Sequence, residues 1–337
     1  MFWAADIHES VSPSVRQGIV QQALKDRVIP AALHYETPRQ AQKWLELHKA
    51  FSPAHREEGG AANYRHASGR LAAQLPAREV VVIGLGCGSG FKDRLLVQAC
   101  LDCGLTVHYA PVDISLPLVL SAARAVQPLI QARGGKLFPL VCDLTAEEDW
   151  RSWWQPKVPS GAVGVITFYG LLPTLPPREV QQVLARWLAP DSWLLLSANL
   201  IPQPGHAVSL QQVLPQYDNE PTRQWLGLLL EDLGVPGEAG RLHFQVEILS
   251  GCPSVWAIVA NWQCLQPLDL VVGEIPFHFE AMARLRLFSS FRYTTSQVEE
   301  LLQPLGQTRV ESWLDSTGEE GVFLCVGRQG RILPNRF

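Results

Sequence analysis

Val80-Val81-Val82-Ile83 runs straight into Gly84-Leu85-Gly86-Cys87-Gly88-Ser89-Gly90, and a helix-compatible stretch, Phe91 to Cys100, follows. Four branched aliphatics in succession describe a strand buried on both faces, the habit of parallel sheets. Glycines placed directly after such a strand permit positive φ and let backbone N–H groups come close to a ligand at the next helix start. The turn therefore reads as one that handles a nucleotide, with a plain tight turn between strand and helix as the alternative. Its spacing is not the dinucleotide one: the glycines fall at 86, 88 and 90 and position 91 is Phe, which argues against a nicotinamide oxidoreductase.

The rest of the chain narrows the class. At 337 residues it exceeds a usual single domain, so one large domain with an insertion, or two domains, is expected. The formal net charge is −4 and no Lys/Arg cluster is long enough to follow a phosphate backbone, which disfavours a nucleic-acid partner and favours a small-molecule substrate. The first residues, Met1-Phe2-Trp3-Ala4-Ala5-Asp6-Ile7-His8-Glu9, carry acid where a signal peptide needs base. No apolar stretch reaches the roughly 18 residues needed to span a bilayer, so no membrane role and a cytoplasmic location are expected. Seven scattered cysteines fit a reducing compartment rather than a disulfide framework. Cys100-x-x-Cys103 lacks a second pair or nearby histidine ligands beyond His108, so it reads as packing, and no metal is expected.

From Glu79 to about Asn199 strands and helices alternate: Val80–Ile83, Lys92–Cys103, Thr106–Val112, Leu116–Arg133, Lys136–Cys142, Ala162–Phe168, Arg178–Leu188 and Trp193–Leu200. Such alternation predicts an α/β fold with a doubly wound parallel sheet, its ligand lying beyond the carboxyl ends of the strands. Before it, residues 1–75 show helical segments (Val15 to Lys25, Ala41 to His48) without a strand run and read as an N-terminal helical cap. After it, residues 201–285 hold a helix near Thr222–Leu233 and strands at Leu242–Leu249 and Val255–Trp262 flanking the turn-rich Ser250-Gly251-Cys252-Pro253. This segment reads as an inserted, smaller α+β lid domain. A final helix at Ser296–Leu305 and strands at Thr308–Asp315 and Gly321–Arg328 return the chain to the core, which thus comprises 76–200 and 286–337.

Three chemical positions fall at predicted strand ends. Asp113 closes Val107-His108-Tyr109-Ala110-Pro111-Val112, where a carboxylate can accept from two ribose hydroxyls or, alternatively, cap the next helix. Asp143 closes Val141-Cys142 and has the same two readings, an adenine amino group or a helix cap. Together with Gly86, Gly88 and Gly90 these resemble the binding set of class I S-adenosyl-L-methionine (SAM) methyltransferases. The final strand pair has the order of that sheet.

The strings Gly86-Cys87-Gly88-Ser89-Gly90-Phe91-Lys92-x-x-Leu95-Leu96 and Tyr109-Ala110-Pro111-Val112-Asp113-Ile114-Ser115 sharpen the likeness. They resemble the histidine-specific SAM-dependent methyltransferase family and its patterns G-S-G-S-x-E-K-x-x-x-L-L and Y-x-P-V-D-[IV]-S. Further matches follow in order at Phe168-Tyr169-Gly170, Tyr217-Asp218 and Phe291-Arg292-Tyr293-Thr294, with His34-Tyr35-Glu36 in the cap similar to F-Y-D. The resemblance implies SAM as cofactor, held by Tyr35, Gly86, Gly88, Gly90, Lys92, Asp113, Asp143 and Leu144. It implies substrate contacts at Phe51, Gly170, Thr174, Leu175, Tyr217, Phe288 and Ser290.

The departures are concentrated at the substrate positions. Where the family has S-T-I-G-N this chain has Leu171-Leu172-Pro173-Thr174-Leu175, without an amide. Where it has H-T-E-N-S the chain has Arg286-Leu287-Phe288-Ser289-Ser290, so Phe288 replaces the glutamate while Ser290 stays. A tyrosine pair becomes Ala50-Phe51, and Gly84 stands where an acidic residue is usual. Losing a polar partner for a buried charged group costs about 2–5 kcal/mol, so an amine or amino-acid-like acceptor other than histidine is expected. A SAM-binding protein without turnover is the alternative. For acid–base work the chain offers Tyr35 and, among Glu274, His278 and Glu280, chiefly Glu280, although a solvated edge is the preferred account of the last three. The oligomeric state is not legible.

Overall fold

The computed structural model describes residues 4–52, 60–202, 206–249 and 255–329. The first half runs β1 (Asp6–Ile7), α1 (Pro13–Asp26), α2 (Pro38–Phe51), α3 (Gly60–Gln74), β2 (Glu79–Leu85), α4 (Phe91–Asp102), β3 (Thr106–Asp113), α5 (Leu116–Gln131), β4 (Leu140–Val141), α6 (Trp150–Trp154), β5 (Val163–Phe168), α7 (Pro177–Trp187) and β6 (Trp193–Asn199). The second runs α8 (His206–Val213), α9 (Glu220–Asp232), β7 (Gly240–Ile248), β8 (Trp256–Cys264), β9 (Leu268–Val272), β10 (Ile275–Phe279), β11 (Arg284–Arg292), α10 (Thr295–Leu302), β12 (Gln307–Leu314) and β13 (Glu320–Gly327).

One sheet dominates, in the order β1-β4-β3-β2-β5-β6-β13-β12. The strands from β1 to β6 are parallel, and β13 joins antiparallel to both β6 and β12. This is a doubly wound sheet closed by an antiparallel pair, the order expected from the class I methyltransferase resemblance. The continuous apolar run of β2 has a direct cause in packing: Val81, Ile83 and Leu85 face one core cluster, while Val80 and Val82 face the other. Helices cover both faces, so neither side of the strand can be polar. On the first face Trp150 stacks on the fully buried Trp187 at 5.5 Å, and truncating such a tryptophan to alanine costs about 3–5 kcal/mol.

The strand predicted over 136–142 is reduced to the two residues of β4 and an isolated bridge from Leu137 to Tyr109. Pro139 lies between them and has no N–H to give the ladder. The N-terminal segment also differs from a purely helical cap. β1 extends the sheet edge through Asp6 N–H to Pro139 O at 2.9 Å, and α3 packs on α4 and β13 as part of the core. α1 leans on β9 and β10 of the inserted part, α2 on α9, and the segment Ala31–His34 between them on α9 and β11.

The insertion contains a three-stranded antiparallel sheet, β11-β8-β7, and a two-stranded ribbon, β10-β9. β7 and β8 pair as expected, while the turn at 250–253 lies outside the described residues. β11 pairs with β8 as far as Arg292 opposite Trp256, so by pairing the chain re-enters the core after Arg292 rather than at 286. The return is sewn to the end of β6 by Tyr293 N–H to Asn199 O at 3.0 Å and Ile201 N–H to Tyr293 O at 3.0 Å. No helix of the described residues is long and apolar enough to cross a membrane.

Candidate active site

The carboxyl ends of β2, β3, β5 and β6 open into a cavity of about 580 Å³, roofed by residues of α2, the segment before it, and β11. That volume falls within the roughly 300–1,000 Å³ of ordinary small-molecule sites. The strand order reverses between β2 and β5, which leaves a crevice at that point for a ligand.

The glycine loop forms the floor. Gly86 and Gly88 have φ of 61° and 53°. A Cβ on Gly86 would stand 2.6 Å from the Leu171 side chain, and one on Gly88 would stand 2.9 Å from the indole of Trp44, so both conformation and space call for glycine. Gly88 N–H donates to Asp113 Oδ2 at 3.1 Å, and Ser115 N–H donates to Oδ1 at 3.0 Å. Burial raises the Asp113 carboxyl to about 6 despite the lowering influence of these backbone donors. A carboxylate has about four acceptor positions, so Asp113 keeps capacity for ligand hydroxyls while also bracing the turn into α5. A buried acceptor at a strand tip beside a Cβ-free cradle fits the ribose and methionine parts of SAM.

Asp143 is more heavily engaged. Its Oδ1 accepts from Thr145 N–H at 2.9 Å and Thr145 Oγ1 at 2.6 Å, and its Oδ2 accepts from Arg16 Nη1 at 2.6 Å. Arg16 also pairs with Glu36, so α1 and the residue after Tyr35 are tied to this strand end. Leu144 lines the cavity beside it. Lys92 projects from the first turn of α4 with Nζ 3.8 Å from Glu320 Oε1 and 4.7 Å from the centre of the Tyr64 ring. Glu320 in turn accepts from Tyr64 Oη at 2.8 Å. Burial lowers the Lys92 pKa, against the raising effect of Glu320 and Asp93.

Gly84 acquires its meaning here. A Cβ at 84 would lie 2.1 Å from Oδ2 of Asp93, which is 3% exposed. Asp93 accepts from Tyr109 Oη at 2.6 Å and Thr167 Oγ1 at 2.7 Å, and burial raises its carboxyl to about 6. A carboxylate from the helix thus occupies the place that a side chain on residue 84 would fill.

The far end of the cavity is built by long-range contacts. Tyr35 packs on Trp44 at 5.6 Å and Trp225 at 5.4 Å, Trp225 on Phe288 at 6.2 Å, and Phe288 on Tyr217 at 6.0 Å. A capping box, Thr37 with Gln40, starts α2 and thereby places Trp44 and the half-exposed Phe51 at the rim. Burial, and then the Asp113 charge, push the Tyr35 phenol above its ordinary range, so it stays protonated at neutral pH. Gly170, with φ of 75°, and Thr174 and Leu175 form one wall; Thr174 Oγ1 donates to Leu171 O at 2.9 Å within its own turn. Pro173 O accepts from Phe291 N–H at 2.7 Å, which ties this turn to β11.

Beyond that wall Asn199, Tyr217, Ser290 and Arg292 form one hydrogen-bonded group. Tyr217 and Ser290 are among the predicted positions; Asn199 and Arg292 are not, nor are Trp44, Trp225 and Glu320. A strand-end position signals Asn199, and period-two spacing from Phe288 through Ser290 signals Arg292. The structure keeps Glu280 out of the cavity. Glu280 and His278 are exposed at the β9–β10 ribbon, where His278 Nδ1 meets Asp269 at 2.7 Å and Nε2 meets Glu280 at 3.2 Å; Glu274 is exposed at the same ribbon. The six described cysteines are free, and burial pushes the Cys100 thiol up to about 12.

Residues 55–209 match the family described as histidine-specific methyltransferase, SAM-dependent. No curated protein matches the chain. Among solved structures, the chain is similar to the 1,6-didemethyltoxoflavin-N1-methyltransferase of Burkholderia thailandensis, at 16% identity over 85% of this chain and 86% of that one, with a TM-score of 0.42. It is also similar to the CcbJ methyltransferase of Streptomyces caelestis, at 12% identity over 79% and 95%, with a TM-score of 0.37.

Proposed function

We propose that this chain, a SAM-dependent methyltransferase whose residues 55–209 belong to the histidine-specific family, methylates nitrogen on a small amine or amino-acid-like acceptor other than histidine. The observation that carries the reading is one cavity lined both by the Gly86–Gly90 loop with Asp113 and by Phe288 with Leu175. SAM, when bound, supplies an activated methyl group on a sulfonium, which leaves the protein the work of alignment. Holding donor and acceptor in line contributes roughly 7–11 kcal/mol of barrier reduction.

The residues divide this work. Gly86 and Gly88 let the backbone lie against the methionine part, Asp113 accepts from the ribose, and Asp143 and Leu144 border the adenine. Gly90, at φ 74°, starts α4, where a Cβ would stand 2.7 Å from the backbone of Ala122. Lys92, already facing Glu320, guards the carboxylate end, and Tyr35 donates from the roof. On the acceptor side the aromatic ring of Phe288 stands where the family resemblance puts an imidazole-gripping glutamate, so histidine would lose water there without recovering a hydrogen bond.

Incubating the protein with SAM and a pool of small amines, then following S-adenosylhomocysteine and methylated products by mass spectrometry, tests the reading. Product from an amine other than histidine is expected. Trimethylhistidine as the main product would overturn the acceptor assignment, and SAM binding with no turnover on any amine would favour a binding protein.

A further inference from the structure

β11 turns alternate side chains to the cavity at Phe288, Ser290 and Arg292, all three among its lining residues. Arg292 is 3% exposed. Its Nη1 donates to the carbonyls of Leu200 at 2.9 Å and Glu319 at 3.4 Å, its Nη2 to Tyr217 Oη at 3.0 Å, and its buried Nε has no partner. No carboxylate among the described residues pairs with it, although every other well-buried cation of the cavity region has one: Lys92 has Glu320, and Arg16 has Asp143 and Glu36. A guanidinium does not lose its proton in a protein, so its charge persists in this enclosed place.

The hydrogens of its neighbours point the same way. Asn199 Nδ2 donates to Tyr217 Oη at 3.1 Å and to Ser290 Oγ at 3.3 Å. With Arg292 Nη2 and Asn199 Nδ2 both giving to the Tyr217 oxygen, that phenol gives its own hydrogen to Ser290 Oγ, 3.0 Å away. Ser290 Oγ then accepts twice, and its hydroxyl hydrogen is left for an acceptor in the cavity. The cluster is a chain of donors ending in one free donor and backed by an unpaired positive charge. Next to it lie the rings of Phe288 and Trp225.

We propose that the methyl acceptor carries an anionic oxygen head group, carboxylate or phosphate, docked on Ser290 and Tyr217 and balanced by Arg292, with its apolar body on Phe288 and Trp225. This deepens the proposed methyltransferase reading and rests on the same cavity. It selects, among amino-acid-like acceptors, those with an apolar body and a free acid group.

The test is a calorimetric titration of the full chain, with and without saturating S-adenosylhomocysteine, using three probes: 3-phenylpropionate, 2-phenylethyl phosphate and the neutral 3-phenylpropionamide. One or both anions are expected to bind at least tenfold more tightly than the amide, and which one leads identifies the head group. Arg292→Gln should erase that ratio, while Arg292→Lys, which keeps charge without the fork, should retain part of it. Because Arg292 also holds two carbonyls, its replacement can unsettle the fold. Tyr217→Phe is the second variant: it keeps the ring and removes only the hydroxyl, and it should lower anion affinity severalfold with the amide unchanged. A merely structural Arg292 would shift thermal stability and leave the acid-to-amide ratio alone. Equal or absent binding of all three probes while S-adenosylhomocysteine binds overturns the anion site only. Anion binding by a protein that takes no S-adenosylhomocysteine keeps the site and sinks the methyltransferase reading.

Discussion

The two ends of the cavity are built on different principles. The floor, from Gly86 to Asp113 and Asp143, is made of short segments each directly following a parallel strand, and its geometry is fixed by sheet register and local turns. The far end draws Asn199 from β6, Tyr217 from the loop before α9, and Phe288, Ser290 and Arg292 from β11, residues up to 93 positions apart brought together by the inserted sheet. A motif can carry the first kind of site, because each residue's role follows from its neighbours in sequence. The second kind is free to change one residue at a time, and it is where the chain departs most from the family it resembles, with Phe288 and Leu175 at positions where polar groups are expected.

The sharpest break in that comparison is Gly88→Val. The replacement meets both a positive φ and the Trp44 indole 2.9 Å from its Cβ, so S-adenosylhomocysteine affinity should fall by about a hundredfold or more. Asp113→Ala, which removes charged hydrogen bonds of about 1.5–3 kcal/mol each, should cost at least about tenfold. Calorimetry reads both. An Asp113→Ala protein with unchanged affinity would remove this residue from the ribose site.

Next in size is the exchange between Gly84 and Asp93. Gly84→Asp would place two carboxylates at one buried point, and unfolding in urea should show a loss of about 3 kcal/mol. Asp93→Ala alone strands the hydroxyls of Tyr109 and Thr167 and should cost about 1–3 kcal/mol. The double change should be better than the sum of the two by about 2 kcal/mol, since the strand carboxylate then takes the vacated place. Strict additivity would show that Asp93 does not stand in for a strand acid.

How much of this was legible follows from the same contrast. The continuous apolar run at 80–83 and the order of later strands were sufficient for the doubly wound sheet, because burial on both faces leaves a pattern that needs no partner to be seen. Asn199 and Arg292 leave no such pattern. Each is a single polar residue in an apolar or mixed context, and only the pairing of β11 with β8 and its link to β6 gives either one a neighbour. The place of Asp93 is hidden for a related reason: it lies nine residues after Gly84, on a different element, and nothing in linear spacing shows that both point to one place. β1 escaped notice because two residues at a sheet edge carry no periodicity.

A smaller effect, about tenfold, comes from protons at the floor. Burial raises Asp113 to about 6 in the folded chain, above its unfolded value near 3.9, so in the ligand-free protein its contribution to stability is complete below about pH 4 and is lost as pH rises through 6. Ribose hydroxyls prefer the ionised form. Affinity for S-adenosylhomocysteine should therefore rise about tenfold from pH 5 to 7 and level off above. Asp113→Asn should flatten the profile; an unchanged slope would assign the titration to another group.

The smallest effect concerns the far end and would show whether it can be reversed piecemeal. Leu175→Asn with Phe288→Glu restores the two polar residues that the histidine-using relatives are expected to carry, and histidine binding should become measurable, with a gain of about severalfold. The gain is limited by Arg292. A glutamate at 288 would share the β11 face with Ser290 and Arg292, two and four positions on, and the guanidinium, which no carboxylate among the described residues pairs, would attract it. Phe288→Glu should therefore weaken 3-phenylpropionate binding by more than it strengthens histidine binding, both through charge repulsion and through loss of the ring. Adding Arg292→Gln to the double variant should then release the glutamate and raise histidine affinity further, as calorimetry can measure. If the triple variant binds histidine no better than the double one, residue 288 does not reach the guanidinium, and the apolar ring alone accounts for the exclusion of histidine.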